Sequence, residues 1–522
     1  KRTRILKELS YLKCLPSIGR RSARLRSHDT LSNALVVRFL GRSFGEDMTD
    51  RTMTRRSLIG GTLTARAIPS GQSSIRPPNF LFFFPDQWRH DWTGFTPGLD
   101  VRLPVLESLA LRGVRFTKAI VASPLCAPSR ACLASGREYD ACGVATNRQD
   151  YPLSQATYYQ CLRDAGYAVL GCGKIDLHKA TRHWGVDGKR LVREWGFTDA
   201  IDSAGKGDAI ASTRDNGRPV DPFMEHLRQR GLLTAHLEDF RHRNGNASFT
   251  NCEPCPLPDE DYGDNWITSN GIQLLRTVPL ATPWHLVLNF PGPHNPMDIT
   301  ARMRRHVAHR TYPQPVRSRE YDELTHTAIR QNYTAMCENI DAQMGRVLRE
   351  VEARGELHNT FVVFTSDHGE MLGDHERWAK RVPHQASIGV PMVVAGPGIR
   401  SAVSDALVSH IDVAATFLDY AAAPSLPAMT ARSLRPLLEG KTEQHRKVAL
   451  SGLEEWRCAW DGRFKLVRGF AYRDGEVARV RAGAQEVLFD METDPNETRN
   501  VLDAHPSVAA QLREAIIAGQ EG

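Results

Sequence analysis

The 522-residue chain has no apolar run near the roughly 20 residues that a membrane helix requires. Its nearest approach, residues 34–40, is short and carries Arg38. Cysteine is sparse as well: ten in the whole chain exclude a disulfide scaffold. Cys252 and Cys255 form one CxxC with no second pair at zinc-site spacing, so a loop pair is expected there, closed at most by a local disulfide. No internal repeat is present, which excludes solenoids and propellers. A basic field on a folded face is also missing. The net charge is +7, but residues 1–66 hold 15 Lys/Arg against 5 Asp/Glu, more than the whole excess. The remainder is slightly acidic, so no nucleic-acid partner is expected.

What is there divides into three segments. Residues 1–75 read as a basic leader without periodicity. Within it, Met53-Thr54-Arg55-Arg56-Ser57-Leu58-Ile59 resembles a twin-arginine export signal, although its apolar part is short and Arg66 interrupts it. The alternative is a disordered basic tail ahead of a start at Met48 or Met53. The first reading places the protein in the periplasm or outside the cell, the second in the cytoplasm.

Residues 77–440 alternate strand and helix. Apolar runs at 79–84, 114–121, 167–170, 284–290, 361–364 and 391–394 read as strands buried on both faces. Pro104 opens a helix that Gly113 closes. Met336, Ile340, Met344, Val347 and Val351 mark one face of an amphipathic helix ending at Gly355. This alternation predicts an α/β fold with a mostly parallel sheet. Residues 441–522 differ: short strands at 448–452, 464–468 and 487–490 with a helix near 507–518 predict a small antiparallel subdomain. Residues 179–262 yield no firm elements.

The chemistry lies where polar residues follow buried strands. Asp86-Gln87 follows 79–84, and Asp367-His368 follows 361–364. In open α/β sheets ligands bind beyond the carboxyl ends of the strands, so two such pairs can share a site. Two carboxylates, an amide oxygen and an imidazole suit a divalent cation that prefers oxygen; taken singly, each Asp is equally a helix cap. Cys126-Ala127-Pro128-Ser129-Arg130 follows a strand and opens a helix, whose free N–H groups favour an anion.

Residues 126–137 resemble the signature of the type I sulfatases of the alkaline phosphatase superfamily, in which the cysteine of Cys-x-Pro-Ser-Arg becomes formylglycine. Asp86-Gln87-Trp88-Arg89 and Ser366-Asp367-His368-Gly369-Glu370 resemble the two metal motifs of that family. Lys380, Gly173-Lys174 and Pro293-His294-x-Pro296 match its anion lysines and leaving-group histidine, and residues 488–497 match its carboxyl-terminal segment. The resemblance spans about residues 77–500, in the family's order. It implies a sulfate-ester hydrolase with an alkaline-phosphatase-like sheet and a C-terminal α+β subdomain. Asp86, Gln87, Asp367, His368 and Cys126 would hold one divalent cation, Ca²⁺ first, then Mg²⁺ or Mn²⁺. Arg130 would hold the nucleophile, Lys174 and Lys380 the anion, and His294 the ester oxygen. The implied partners are a small-molecule sulfate ester and a maturation enzyme that oxidises Cys126. One departure stands out. The family's histidine two residues past the lysine is Asp176 here, so either His178 takes that role or the contact is absent. A phosphonate monoester or phosphodiester hydrolase, and a binding protein with unmodified Cys126, are the competing readings.

Overall fold

Eight strands with apolar side chains on both faces assemble the centre of the molecule. They are β1 (Asn79–Phe83), β2 (Gly113–Ile120), β3 (Ala168–Gly173), β4 (Asp199–Asp202), β5 (Trp284–Asn289), β6 (Thr360–Thr365), β7 (Met392–Ala395) and β8 (Ala402–Ser409). The computed structural model describes residues 76–213, 218–245, 247–473, 475–480 and 485–521. The 1–75 leader, with its Arg55-Arg56 motif, lies outside the described residues.

The sheet order is β4-β3-β5-β1-β6-β7-β2-β8. All neighbours pair in parallel except β7, which runs against both β6 and β2. Side chains of β1 alternate between two cores, as a pleated strand must. Phe80 and Phe82 enter one core, Leu81 and Phe83 the other. The 31-residue helix Glu323–Ala353 covers the second, with Met336, Ile340, Met344, Val347 and Val351 buried. Its chain turns out through Gly355 at φ +71°, a left-handed position that glycine adopts without strain. No helix among the described residues is long and apolar enough to cross a membrane.

Strands β3, β5, β1 and β6 are adjacent and point the same way. Their carboxyl ends therefore deliver Lys174, Asn289 and His294, Asp86 and Gln87, and Asp367 and His368 to one edge. That is the crevice position expected of an open α/β sheet.

The smaller sheet holds β9 (Ala449–Leu453), β10 (Trp456–Trp460), β11 (Phe464–Arg468) and β12 (Glu486–Asp490), all antiparallel, in the order β12-β11-β10-β9. The helix Pro506–Glu521 buries Ala509, Leu512 and Ile516 against Ala459, Leu466 and Leu488. Strand β10 is absent from the sequence reading because its hairpin turns through Glu454-Glu455 rather than through Gly or Asn. Glu454 itself takes the left-handed φ of +49°. Strand β4 and the helices Lys206–Ala211, Pro222–Gln229 and Leu233–Arg241 fill the 179–262 stretch that yielded no elements. They are shorter than the window over which periodicity is detectable. The local disulfide allowed for Cys252 and Cys255 is not formed. Both are free thiols, buried in an apolar core where they pack as small hydrophobes.

Candidate active site

Cys126 is the first residue of the helix Cys126–Ser135, every residue of which is buried. Small residues make this easier: Ala127, Ser129, Ala131, Ala134 and Ser135 leave little side-chain volume to enclose. Gly136 ends the helix at φ +64°. The Sγ of Cys126 lies 3.4 Å from His368 Nε2 and 3.9 Å from Asp86 Oδ1. His368 Nε2 in turn lies 3.4 Å from Asp86 Oδ1 and 3.6 Å from Asp367 Oδ1. Ligand atoms held 2.3–2.6 Å from one cation, at right to tetrahedral angles, stand roughly 3.3–4.2 Å apart. The four side chains thus have the spacing of a metal seat, and all are buried. Burial, then the Asp86 carboxylate, pushes Asp367 upward, a penalty that a divalent cation between them would remove.

Gln87 stands beside this seat at φ +73°, its N–H donating to Asp367 Oδ1 at 3.0 Å. Its side-chain Nε2 donates to Glu370, and its Oε1 accepts from Lys380 Nζ at 2.5 Å. Glu370 also accepts from the N–H groups of Leu372 and Ala379, so it clamps Gln87 to the loop that carries Lys380. Lys380 Nζ lies 2.6 Å from His294 Nε2. His294 Nδ1 pairs with the carbonyl of Asn295, which makes Nδ1 the protonated nitrogen and Nε2 the lone pair facing Lys380. Burial, then Lys380, holds His294 below the usual histidine range.

Lys174 Nζ lies 2.6 Å from Asp86 Oδ2 and 3.0 Å from Asp176 Oδ2. Burial alone would lower its pKa, but Asp176 and Asp86 together hold it well above the usual lysine range. Burial likewise opposes ionisation of Asp86, and Lys174 leads the cations that overcome it. Asp86, Cys126, Lys174, His294 and Lys380 line one cavity of about 200 Å³.

The hydrogen bonds of Arg130 go to the strand ends rather than to Cys126. Its Nε donates to Asp367 Oδ2 at 3.0 Å, its Nη1 to the Lys174 carbonyl and Asn289 Oδ1, and its guanidinium lies over Phe84. It therefore knots the ends of β6, β3 and β5. His178 is not brought to the cavity either. It is buried against Trp195, 3.4 Å from Asp202, and burial lowers its pKa to about 4. Of the two alternatives for the missing histidine, the structure fits the absent contact, with Asp176 holding Lys174 instead. His375 and His384 gather with Glu476 in a separate buried cluster.

Asp176, Glu370 and Asn289 are the residues that motif reading missed. Asp176 left a trace as the odd residue in an otherwise matching segment, and Glu370 as the last residue of the second metal motif, without a role.

The Sulfatase family model matches residues 78–423, and an N-sulphoglucosamine sulphohydrolase C-terminal model matches residues 373–521. The chain belongs to the sulfatase family. This sulfatase is a hydrolase of sulfuric esters. It is similar to arylsulfatase K of Mus musculus, with 25% identity over 463 residues, 84% of this chain and 78% of that protein. N-acetylglucosamine-6-O-sulfatase of Bacteroides thetaiotaomicron is 26% identical over 487 residues, covering 84% and 85%. Among solved structures, the phosphonate monoester hydrolase of Agrobacterium radiobacter superposes with a TM-score of 0.68 at 21% identity, covering 85% of the sulfatase and 95% of that chain. A structure in complex with its substrate D-glucosamine-2-N,6-O-disulfate gives 0.66 at 18% identity, covering 85% and 98%.

Proposed function

We propose that the sulfatase cleaves a sulfate monoester through a formylglycine made from Cys126, beside a divalent cation, Ca²⁺ first, held by Asp86, Gln87, Asp367 and His368. The observation that carries this is the placement of Cys126 Sγ 3.4 Å from His368 Nε2 and 3.9 Å from Asp86 Oδ1. A thiolate is a poor partner for the hard cation that carboxylates and amides select, whereas an aldehyde hydrate offers oxygen. Once formed, the hydrate would offer one hydroxyl as attacker and a second whose deprotonation would release sulfate, and the cation would supply the charge that activates the attacker.

The chain's own residues do the rest. Lys174 and Lys380 grip the sulfuryl oxygens, where one preorganised donor is worth on the order of 10²–10³ in rate. Arg130 holds Asp367 and the Lys174 backbone in register. His294 binds the ester oxygen, and its Nε2, 2.6 Å from Lys380 Nζ, would relay a proton to the departing alcohol. Cys126 is 3% exposed in a helix buried along its length. The maturation enzyme therefore meets this segment before the helix docks.

Purified protein assayed on nitrophenyl sulfate and on a phenyl phosphonate monoester tests the reading. Sulfate turnover is expected to dominate, and much faster phosphonate turnover overturns it. An intact thiol in the Cys126 peptide of protein from its native host, found by mass spectrometry, favours a binding protein instead.

The relay makes its own prediction. His294→Ala should lower kcat for alkyl sulfates by about 10²–10⁴. Nitrophenyl sulfate should suffer far less, because nitrophenolate departs without a proton. Equal losses for both esters would remove His294 from proton transfer.

A further inference from the structure

The cavity that holds Cys126 has a side the proposed chemistry does not use. Beyond the residues already described, the side chains of Asn147, Lys179, Arg182, Lys206 and Asp208 line it, with no Phe, Tyr, Trp, Leu, Ile or Val among its described lining. Pockets for flat apolar groups are lined mainly by apolar and aromatic residues. This one is lined by charge.

Two of its cations are already engaged. Lys179 Nζ lies 2.9 Å from Asp176 and 2.6 Å from Asp208, and Lys206 Nζ lies 2.7 Å from Asp298. Arg182 is not held in this way. Its side chain is 50% exposed, and its ion-pair contact is to Asp208 at 3.7 Å, a carboxylate that Lys179 already holds closely. A guanidinium presents five donors in a planar fork that matches two oxygens of a carboxylate or sulfate. One oxygen at 3.7 Å leaves that capacity almost unused.

We propose that Arg182 anchors a second anion subsite, which takes a carboxylate or a second sulfate on the alcohol half of the ester while the reacting sulfate lies at Cys126. The inference rests on the sulfatase reading above and deepens it. The substrate is a hydroxyl-rich, doubly anionic ester rather than an aryl sulfate. The reacting sulfate goes to Lys174 and Lys380, and the second anion goes to Arg182.

Calorimetry with the full chain carrying Cys126→Ala, which binds without consuming the probe, tests this. The probes are glucose monosulfates, glucose disulfates and glucuronate monosulfates. At least one of the doubly anionic sets is expected to bind about tenfold tighter than the monosulfates, the gain from one charge-assisted contact. An advantage confined to the disulfates identifies sulfate as the second anion, and one confined to the glucuronates identifies carboxylate. Adding Arg182→Ala should erase the advantage, and Arg182→Lys should restore part of it. Equal binding of all three sets, or an advantage that survives Arg182→Ala, overturns the subsite. Turnover of sulfate esters by the unsubstituted chain keeps the two failures apart. Without any turnover the sulfatase reading falls and the subsite with it, whereas turnover with indifferent binding removes the subsite alone.

Discussion

Replacing Cys126 by alanine is expected to lower turnover of nitrophenyl sulfate by on the order of 10⁶, the cost of deleting a nucleophile from a preorganised site. Nothing else in the cavity can substitute. Asp86 is paired with Lys174, and His294 Nε2 accepts from Lys380, so neither is free to attack sulfur. The fold should persist, because alanine keeps the first turn of a helix whose packing rests on its other residues. The measurement is kcat beside a thermal melt, and activity within tenfold of the parent would refute the assignment. Cys126→Ser sharpens the test. A lone hydroxyl has no second hydroxyl to expel sulfate, so a sulfated protein should accumulate after a single turnover.

The second large effect falls on stability as well as rate. Arg130→Ala is expected to cost about 3–5 kcal/mol, the penalty for removing one partner of a buried ion pair. The Arg130 side chain is 3% exposed and Asp367 fully buried, so the carboxylate left behind has no water to replace the guanidinium. The Lys174 carbonyl and Asn289 Oδ1 lose their donors in the same change. Arg130→Lys should recover little, since one ammonium cannot span three acceptors that a planar fork reaches together. Denaturant unfolding reads the loss, and a change below about 1 kcal/mol would mean that the knot of strand ends does not depend on Arg130.

Much of the site was legible because it follows strands whose apolar runs are unmistakable. Asp86, Lys174, His294 and Asp367 each come just after such a run, and a parallel sheet brings those ends to one edge. Strand direction was not legible. The run at 391–394 marks β7 correctly but is silent on its antiparallel pairing with β6 and β2, which depends on how the chain returns. Orientation of side chains was equally hidden. Arg130 belongs to the Cys126 motif and yet reaches for Asp367, 237 positions away. Glu370 and Asn289 act through Gln87 and Arg130, 283 and 159 positions away, and no local pattern reports such contacts. The 179–262 stretch failed for a different reason, since its elements are too short to repeat.

The loop that carries Lys380 is braced from the far end of the chain. Arg377 forms an ion pair with Glu476, Lys465 donates to the Pro383 carbonyl at 2.9 Å, and the N–H of Gln385 donates to Glu497 at 2.6 Å. A protein cut after residue 440 would retain Cys126, Asp86, Asp367, His368, Lys174 and Lys380. It would still be a toolkit without a vice, because the arm bringing Lys380 to His294 would have lost its backstop. The carboxyl-terminal segment, through Lys465, Glu476 and Glu497, thereby sets the position of a loop that lies far from it in sequence.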